Sequence, residues 1–308
     1  VDLQVMNAYQ NPMVSIITLN YNGTDTTRRF LESTKVLSYK NYEILVCDMN
    51  STVDPTQQIT EGNFPKTKLL KSNTNLGFAG GNNWGMQQAN GDYYFIVNND
   101  TEVTADLIEK LLKPFETDKQ IAVVCPKIKY YDNPDYIQFA GFAKMNMYTG
   151  RTHSIGDKEK DDGRYDNPGY TFGAHGCAMM VKKEAANLTG MFPEKFFLYY
   201  EEWDWSMRIH KAGYKIYYEP AAVIYHKESM SVGKESLLKE YYISRNRILF
   251  MRRNCNPFQL LVFTLFYCCI SFPKTFLLYL FTGKLKHLKT YLKALWWNVT
   301  HTKYSAVS

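Results

Sequence analysis

Short apolar runs alternate with longer amphipathic stretches through the first 125 residues. The apolar runs have the length of buried strands and lie at 13–19, 42–48, 68–72, 93–98 and 121–125. The helical patterns lie between them, at about 24–37, 79–89 and 104–115. Strands separated by helices of this length favour parallel pairing with right-handed crossovers. The pattern therefore predicts an α/β fold with a doubly wound, mostly parallel sheet.

The alternation becomes less regular after Pro126. Strands with turns are predicted over 127–150, and a charged loop follows at 156–169. A regular pattern returns from Gly176, with a strand at 177–181, a helix at about 201–212 and two short strands that end at His226. With 308 residues and 45% hydrophobic content, the chain can bury one large core and carry an appendage.

The last third has a different pattern. A basic helix is predicted at 236–254, followed by an apolar segment at 257–281 and a cationic stretch with a Trp pair at 284–297. Pro273 and Lys274 interrupt the apolar segment, and the 15 residues before them are fewer than the ~20 that cross a bilayer. We therefore expect a boundary at 233/234, with a globular domain over 1–233 and a basic, apolar helical appendage over 234–308.

Charge separates the appendage from the domain. From Lys227 to Ser308 there are 13 Lys or Arg and 3 Asp or Glu residues, so this part has a net charge of +10. Because the whole chain has a net charge of +6, residues 1–226 have a net charge of −4. An apolar segment flanked by cations and Trp is typical of a membrane-surface anchor, and an anionic membrane surface is the partner that we expect. The alternatives are a segment that spans or re-enters the membrane, and helices that pack on the domain or on a partner chain. Nucleic acid is not expected, because long apolar runs separate the cations.

The six cysteines indicate a reducing compartment. They form no CxxC pair, and Cys268 and Cys269 are adjacent, which suits an ordinary disulfide poorly. The N-terminal stretch lacks the apolar core of a signal peptide. We therefore expect a cytoplasmic setting.

Polar side chains follow four of the predicted strands. They occur at 18–21, 48–50, 71–73 and 98–100, all at the carboxyl edge of the predicted sheet, where such folds bind ligands. Asp48 can accept a hydrogen bond from a nucleobase or ribose, and Tyr21 can stack on a base. Helix capping and turn formation are the structural alternatives for each.

A segment rich in Gly and Asn, NTNLGFAGGNNWG at 73–85, opens one of the predicted helices. Such a segment offers backbone N–H groups and the positive end of a helix to phosphate oxygens. It is neither a P-loop nor a GxGxxG fingerprint.

Five stretches in this order carry a family resemblance: VSIITLNYNG, LVCDMNS, NTNLGFAGGNN, FIVNND, and FFLYYEEWDWSMRIHKAGYKI followed by VIYH. They resemble inverting family-2 glycosyltransferases of the Rossmann-like GT-A fold, and most closely the rhamnosyltransferase-like branch of bacterial cell-surface polysaccharide synthesis. The resemblance covers roughly residues 13–250. It implies transfer of rhamnose or a hexose from a nucleotide-diphosphate sugar to a glycan or lipid-linked acceptor, peripherally at the cytoplasmic face of the cell membrane.

The resemblance also implies the donor and metal sites. Asn98-Asn99-Asp100 stands where the family has its Asp-x-Asp or Asn-x-Asp motif, so Asp100 and His226 are expected to bind Mn²⁺ or Mg²⁺. Asn98 replaces the first acid, which leaves one carboxylate fewer. The expected nucleotide-sugar site comprises Leu19, Asn20, Tyr21, Asp48, Asn50, Asn75, Gly77, Phe78, Gly81, Asn82, Asn98 and Asn99.

For the acceptor side, the family places its general base as the second acid of a pair that opens a helix. Here the pair is Glu201-Glu202, so Glu202 is the expected base, with Glu201 or a purely structural helix-dipole role as alternatives. The expected acceptor side comprises Gly176, Cys177, Glu201 and Trp203. Asp204 and Arg208 are expected to form an ordinary surface pair.

Two other functions compete with glycosyl transfer. A sugar-nucleotide pyrophosphorylase needs a glycine-rich loop with Arg or Lys after its first strand, which residues 18–23 do not provide. A membrane-docked glycan-binding or scaffold protein with a degenerate site remains open, because Asn98 and the Glu-Glu pair depart from the family pattern.

Overall fold

The computed structural model describes residues 11–227 and 236–303, and ten strands in this part form one sheet. The strands are β1 (Val14–Asn20), β2 (Tyr42–Asp48), β3 (Thr67–Lys71), β4 (Tyr93–Val97), β5 (Thr101–Val103), β6 (Ile121–Tyr130), β7 (Ile137–Phe139), β8 (Gly169–Thr171), β9 (Ala178–Lys182) and β10 (Lys215–His226). The expected boundary at 233/234 lies outside the described residues.

Ten α-helices are described alongside the sheet. They are α1 (Thr24–Thr34), α2 (Thr56–Glu61), α3 (Gly77–Gln88), α4 (Leu107–Thr117), α5 (Lys183–Thr189), α6 (Glu201–Lys211), α7 (Leu237–Asn254), α8 (Pro257–Phe266), α9 (Phe272–Phe281) and α10 (Leu285–Thr300). The short α2 and α5 are absent from the sequence-based prediction, because six or seven residues are too few to show helical periodicity.

The main path through the sheet is β3-β2-β1-β4-β9-β6-β10-β5. Strands β1 to β4 pair in parallel, and β9 then runs antiparallel between β4 and β6. The predicted doubly wound, mostly parallel sheet is confirmed. The two short strands predicted before His226 are instead the single strand β10, whose register against β6 breaks between Glu219 and Val223 around Pro220. Proline has no N–H for the ladder, which explains the irregularity.

Glycines bring α3 into close contact with the sheet. A Cβ atom on Gly85 would lie 2.5 Å from Cγ2 of Ile17 and 3.0 Å from Sγ of Cys47. A Cβ atom on Gly81 would lie 2.8 Å from Sδ of Met49. The glycine-rich character of this segment therefore follows in large part from helix-to-sheet packing.

The C-terminal helices do not form a separate body. Leu249, Phe250 and Met251 of α7 are buried in a cluster that includes Phe196 and Trp203 of the globular part. Further on, α8, a π turn at Tyr267–Ser271 and α9 form one 25-residue helix that is apolar and long enough to cross a membrane. The π turn precedes Pro273, which cannot donate a helical hydrogen bond.

Candidate active site

At the carboxyl edge, the ends of β1 and β2 form one hydrogen-bonded network. Nδ2 of Asn20 donates to Oδ1 of Asp48 at 2.7 Å, and Oγ of Ser51 donates to the same oxygen at 2.6 Å. The backbone N–H of Ser51 reaches Oδ2 of Asp48 at 3.1 Å. Oδ1 of Asn20 in turn accepts from Oγ1 of Thr27 at 2.8 Å. The network makes Asn20 a fully buried positioning residue rather than a group that faces a ligand.

The remaining expected donor residues differ in accessibility. Tyr21 is 52% exposed at the end of β1, and Asn50 is exposed with a left-handed backbone. Leu19, Asn98 and Asn99 are half-buried, and Nδ2 of Asn99 donates to Oγ1 of Thr27 at 2.8 Å. Among the expected donor residues, Tyr21, Asn50 and Asn75 therefore have exposed side chains.

The N-terminal end of α3 is already capped by the protein. The carbonyl oxygen of Phe197 accepts from the N–H groups of Phe78 at 2.7 Å and Ala79 at 3.2 Å. The N–H of Gly77 donates to Oδ1 of Asn75 at 2.9 Å. The N–H groups of Gly77, Phe78 and Ala79 are therefore not free to bind phosphate oxygens in this conformation. Asn75 is exposed, and the role of Asn75, Gly77 and Phe78 in donor binding stays a prediction.

Two other expected donor residues on α3, Asn82 and Gly81, also make contacts within the protein. Asn82 is buried and its Nδ2 donates to the carbonyl oxygen of Phe78 at 2.9 Å, while Gly81 packs on Met49. Gly77 has a positive φ of 69°, and a Cβ there would lie 2.5 Å from the Phe197 ring. These positions hold Phe197 and the sheet close to the helix.

Asp100 and His226 lie next to each other at the end of the sheet formed by β10 and β5. Nε2 of His226 lies 3.1 Å from Oδ1 of Asp100, and both side chains are buried. Nδ1 of His226 lies 2.7 Å from Oε1 of Gln138, an oxygen that can only accept, so Nδ1 carries the proton in this contact. The pairing follows from the antiparallel register of β5 and β10, which sets His226 opposite Thr101.

The donor set at this point fits a divalent cation. Oδ1 of Asp100 is buried and makes no hydrogen bond within the described residues, although it faces Nε2 of His226. With Nδ1 held by Gln138, the other ring nitrogen is free to coordinate once deprotonated, as in many metal-binding histidines. One carboxylate and one imidazole suit Mn²⁺ better than Mg²⁺. Among the described residues no group of three or more His, Cys, Asp or Glu side chains surrounds this pair.

The electrostatics of His226 favour a positive charge in the absence of metal. Burial opposes the imidazolium form, but the neighbouring Cys177 and Asp100 outweigh burial and raise the pKa of His226. Burial raises the pKa of the Cys177 thiol, so the thiol stays protonated near neutral pH. Because a protonated thiol carries no charge, Cys177 acts on His226 through a hydrogen bond, and Asp100 acts through its charge as well.

Residues 174–177 connect this pair to helix α6. The carbonyl oxygen of Cys177 accepts from the N–H of Asn98 at 2.9 Å, and the N–H of Ala174 donates to Oγ of Ser206 on α6 at 3.2 Å. A Cβ atom on Gly176 would lie 3.5 Å from the ring of Phe78. The expected acceptor residues Gly176 and Cys177 therefore lie between the Asp100–His226 pair and the helix of Glu202.

Glu201 and Glu202 open α6 with unusual environments. One carboxylate oxygen of each is buried and has no hydrogen-bond partner within the described part of the chain. Burial raises the pKa of Glu202 to about 7. Burial and the Glu202 charge raise the pKa of Glu201, which is 3% exposed, well above its ordinary value. Burial and the Glu202 charge thus favour the protonated form of Glu201, and Glu202 is the acid whose pKa lies near 7.

Comparison with known proteins identifies the family. The family model described as "Glycosyl transferase family 2" matches residues 15–187. The chain belongs to glycosyltransferase family 2. The match covers the sheet edge with Asp48 and Asp100 and ends before Glu202 and His226.

Curated relatives of this glycosyltransferase support the rhamnosyltransferase-like type. An N-acetylglucosaminyl-diphospho-decaprenol L-rhamnosyltransferase of Mycobacterium tuberculosis is 22% identical over 72% of this chain and 78% of its own length. A UDP-Glc:alpha-D-GlcNAc-diphosphoundecaprenol beta-1,3-glucosyltransferase of Escherichia coli is 31% identical over 41% of this chain and 49% of its own.

Solved structures of the same fold include two that contain Mn²⁺. A mannosyltransferase of Pyrobaculum calidifontis in complex with GDP-Man and Mn²⁺ aligns with a TM-score of 0.58 and 16% identity, over 95% of this chain and 76% of its own. GalNAc-T7 with UDP, GalNAc and Mn²⁺ aligns with a TM-score of 0.59 and 16% identity, over 86% of this chain and 57% of its own. These likenesses establish the GT-A fold of the glycosyltransferase.

Two expectations about α6 of this glycosyltransferase are corrected. Trp203 is buried against Gly173, and its ring centroid lies 4.8 Å from that of Phe142, so it packs in the core instead of stacking on a sugar. Asp204 does pair with Arg208, whose Nε lies 3.3 Å from Oδ2 of Asp204, but the pair is not an ordinary surface pair, because Asp204 is 1% exposed and also binds two residues of α7. Nε of Arg253 lies 2.8 Å from Asp204, and Nδ2 of Asn254 lies 2.9 Å from it.

Several residues around the site were missed by sequence analysis. Gln138 orients His226, Ser51 and Thr27 fix the Asp48 network, and Arg245 and Asn246 bind the loop before Glu202. Ser51 and Thr27 bind partners three and seven residues away, but those of Gln138, Arg245 and Asn246 lie 50 to 88 residues away, so no local pattern marks these three. The Arg-Asn pair shortly before the apolar run at 248–251 is the signal that the sequence offered.

Proposed function

We propose that this glycosyltransferase transfers a sugar, rhamnose or a hexose, from a nucleotide-diphosphate sugar to a hydroxyl group of a lipid-linked glycan, with inversion at the anomeric carbon. The observation that carries the proposal is Glu202, a carboxyl group at the start of α6 with one unpaired buried oxygen and a pKa raised to about 7. A general base is most effective when its pKa lies near the working pH.

In this proposal Glu202 accepts the proton of the acceptor hydroxyl while the hydroxyl oxygen attacks the anomeric carbon. The bond to the nucleoside diphosphate breaks on the opposite face of the sugar, which inverts the configuration. Burial and the Glu202 charge favour the protonated form of Glu201, so in this scheme Glu202 is the acid that is ionised and accepts the proton.

Asp100 and His226 would hold a divalent cation, Mn²⁺ or Mg²⁺, with Gln138 orienting the imidazole. Such a cation, when bound, offsets the negative charge that gathers on the diphosphate leaving group. Tyr21 and Asn50 face the donor base and ribose in this scheme, and the Asn20–Asp48–Ser51 network fixes the edge of the sheet against which they bind.

The lipid-linked acceptor is inferred from the relatives. Two of them, 22% and 31% identical, are named as acting on sugars carried by decaprenol and undecaprenol diphosphates. A cytoplasmic membrane surface is where such acceptors and soluble nucleotide sugars meet. We therefore place the protein peripherally at that face, in the synthesis of a cell-surface polysaccharide.

The apolar helix over 257–281 supports membrane attachment. Its exposed apolar side chains include Phe258, Leu261, Leu265, Leu278 and Phe281. Exposed cations accompany them on this helix and on α10, namely Lys274, Lys284, Lys286, Lys289 and Lys293. Each cation near an anionic surface contributes about 1 kcal/mol, and apolar insertion adds to that.

The transfer reaction is tested in two steps. Thermal unfolding with UDP, GDP and dTDP, each with and without Mn²⁺, identifies the nucleotide, because a ligand that binds only the native state raises its stability. Transfer from the matching nucleotide sugars to a GlcNAc-diphospho-lipid then gives a product whose anomeric configuration is measured by NMR. An inverted linkage is expected. Retention of configuration, or the absence of any turnover, contradicts the proposal and favours a glycan-binding scaffold.

Membrane attachment is tested with matched surface variants. Changing Phe258, Leu261 and Leu265 to Ser should release the protein from anionic vesicles. The same change at Val36, Val53 and Leu188, which are equally exposed on the globular part, should leave binding intact. High salt should weaken binding without abolishing it, because salt screens charges but not apolar contacts. Wild-type protein that stays in solution beside such vesicles contradicts the attachment.

A further inference from the structure

Two neighbouring residues of α7, Arg245 and Asn246, are buried although both are strongly polar, with exposures of 6% and 0%. Both bind the backbone of the loop that leads into α6. Nδ2 of Asn246 lies 2.9, 2.8 and 2.7 Å from the carbonyl oxygens of Phe196, Leu198 and Tyr199. Buried polar groups are costly unless they are hydrogen-bonded, so contacts of this number indicate a dedicated support.

The side chain of Arg245 fixes the orientation of the Asn246 amide. Nε of Arg245 donates to Oδ1 of Asn246 at 2.8 Å, and since an arginine can only donate, the amide nitrogen must point to the loop. Nη2 of Arg245 donates to the carbonyl oxygens of Lys195 and Phe196, each at 2.7 Å. The guanidinium lies between the rings of Tyr242 at 4.6 Å and Trp297 at 4.5 Å.

The loop that they bind has an unfavourable backbone. Phe197, Tyr199 and Tyr200 have φ values of 64°, 68° and 74°, in the left-handed region that bulky side chains disfavour. Such conformations persist only where surrounding structure holds them, and they concentrate at active sites. Tyr200 is the residue immediately before the Glu201-Glu202 pair.

The other side of the loop contacts α3. Besides capping that helix with its carbonyl oxygen, Phe197 stacks its ring on Tyr242 of α7, with centroids 5.0 Å apart and an interplanar angle of 17°. The loop therefore lies between a helix of the nucleotide-binding half and α7, and it ends at the proposed base.

We propose that Arg245 and Asn246 are positioning residues that hold loop 195–200 in its left-handed conformation and thereby set the position of Glu202. This proposal rests on the proposed role of Glu202 as the base. It also means that the catalytic unit continues into α7, beyond the boundary expected at 233/234. The apolar helix over 257–281 is then preceded by α7, which supports the active site, and α7 belongs to the catalytic unit.

The experiment compares three variants of the full-length protein. Arg245→Met and Asn246→Ala remove the support, and Arg252→Met is the matched control. Arg252 is seven residues further along α7 and also donates to backbone carbonyls, those of Asn298 at 2.7 Å and His301 at 3.0 Å, at the end of the chain's last helix. Hydrogen exchange of amides 195–204, the pH dependence of transfer, and binding of UDP, GDP and dTDP with Mn²⁺ are measured for each.

In Arg245→Met and Asn246→Ala, exchange of amides 195–204 should become at least about 10-fold faster, because their opening no longer breaks the contacts with α7. Transfer should fall by roughly 10²-fold, and the apparent pKa of the base should move from about 7 towards its ordinary value of 4.5, while nucleotide binding stays within about threefold. Asn246→Gln, which keeps the amide donors, should restore part of the transfer rate. Arg252→Met should show none of these changes.

The proposal is overturned if Arg245→Met and Asn246→Ala lose thermal stability as Arg252→Met does but keep wild-type exchange at 195–204 and the wild-type pH profile. If Asn246→Ala does not fold, Asn246→Gln and Arg245→Lys are judged by the same two criteria. If the wild-type protein turns over no nucleotide sugar, the proposed function fails, and the exchange comparison alone still decides whether α7 holds the loop.

Discussion

The acids at the ends of the strands and the acids at the start of α6 have opposite surroundings. Asp48 accepts hydrogen bonds from Asn20 and Ser51, and Asp100 faces His226 at 3.1 Å. Glu201 and Glu202 also each have a buried oxygen without a hydrogen-bond partner within the described residues, as Asp100 does, but they lie beside each other and not beside a histidine, and burial raises the pKa of both. Carboxylates surrounded by donors and cations suit binding, and carboxyl groups without them suit proton transfer. The difference indicates that the fold assigns ligand binding and proton transfer to two separate groups of acids.

The largest effect should come from Asp100. Asp100→Ala removes the carboxylate that faces His226, so transfer should fall below detection and Mn²⁺ should no longer strengthen nucleotide binding. Calorimetric titration with the nucleoside diphosphate, with and without Mn²⁺, measures this effect. Equal nucleotide affinity of variant and wild type in the presence of Mn²⁺ would show that Asp100 holds no metal.

Glu202→Gln should lower transfer by a factor of about 10² to 10⁴, the usual loss when a general base is removed. Donor binding should be nearly unchanged, because the carboxyl group acts only on the acceptor hydroxyl. Glu201→Gln is the matched control and should have a smaller effect, since burial and the Glu202 charge favour the protonated form of Glu201. Near-normal turnover of Glu202→Gln would transfer the role of base to another residue, with Glu201 first.

Gln138→Leu tests the role of His226 in the expected metal site. Without Oε1 of Gln138, His226 loses the partner that holds its Nδ1 proton at 2.7 Å, so the ring is free to reorient. Removal of such a partner typically costs 10- to 100-fold in metal affinity, and we expect about that loss for Mn²⁺. Titration of Mn²⁺ monitored by electron paramagnetic resonance gives the value. Unchanged affinity would mean that His226 does not coordinate the ion.

The smallest effect concerns stability. The folded-state pKa of Glu202 is about 7 and lies above its ordinary value of 4.5, so its charge destabilises the native state progressively as pH rises from about 4.5 to 7. Glu202→Gln removes this penalty and should be more stable than wild type by up to about 3 kcal/mol at pH 8, with no gain at pH 4. Chemical unfolding at both pH values measures the difference. A variant that is less stable at pH 8 would show that the environment of Glu202 favours the charge.

Local patterns predicted the strands and the polar residues at their ends well. Val14–Asn20, Tyr42–Asp48 and Tyr93–Val97 are within a residue of the predicted limits, because buried parallel strands are continuous apolar runs. Asp100 and His226 are far apart in sequence yet adjacent in space, as the order of motifs in the resemblance implied.

Errors arose where a distant partner decides the role of a residue. The glycine-rich start of α3 has the composition of a phosphate-binding site. Its N–H groups instead donate to the carbonyl oxygen of Phe197, which is more than a hundred residues later in the sequence. Asp204 has the spacing of a surface pair with Arg208 but is buried by Arg253 and Asn254 of α7. A helical pattern shows which residues share a face and does not show which polar group of another element completes their hydrogen bonds.

The central claim is that Glu202 is a base with a raised pKa, and the pH dependence of kcat/KM tests it most directly. The ionised form is the active one, so kcat/KM of the wild-type protein should rise tenfold per pH unit at low pH and level off above about 7. Glu202→Gln should lose this ascending limb and keep a low, nearly flat rate across the same range. A wild-type profile that is already level at pH 5, or an ascending limb near pH 7 that persists in Glu202→Gln, would contradict the account.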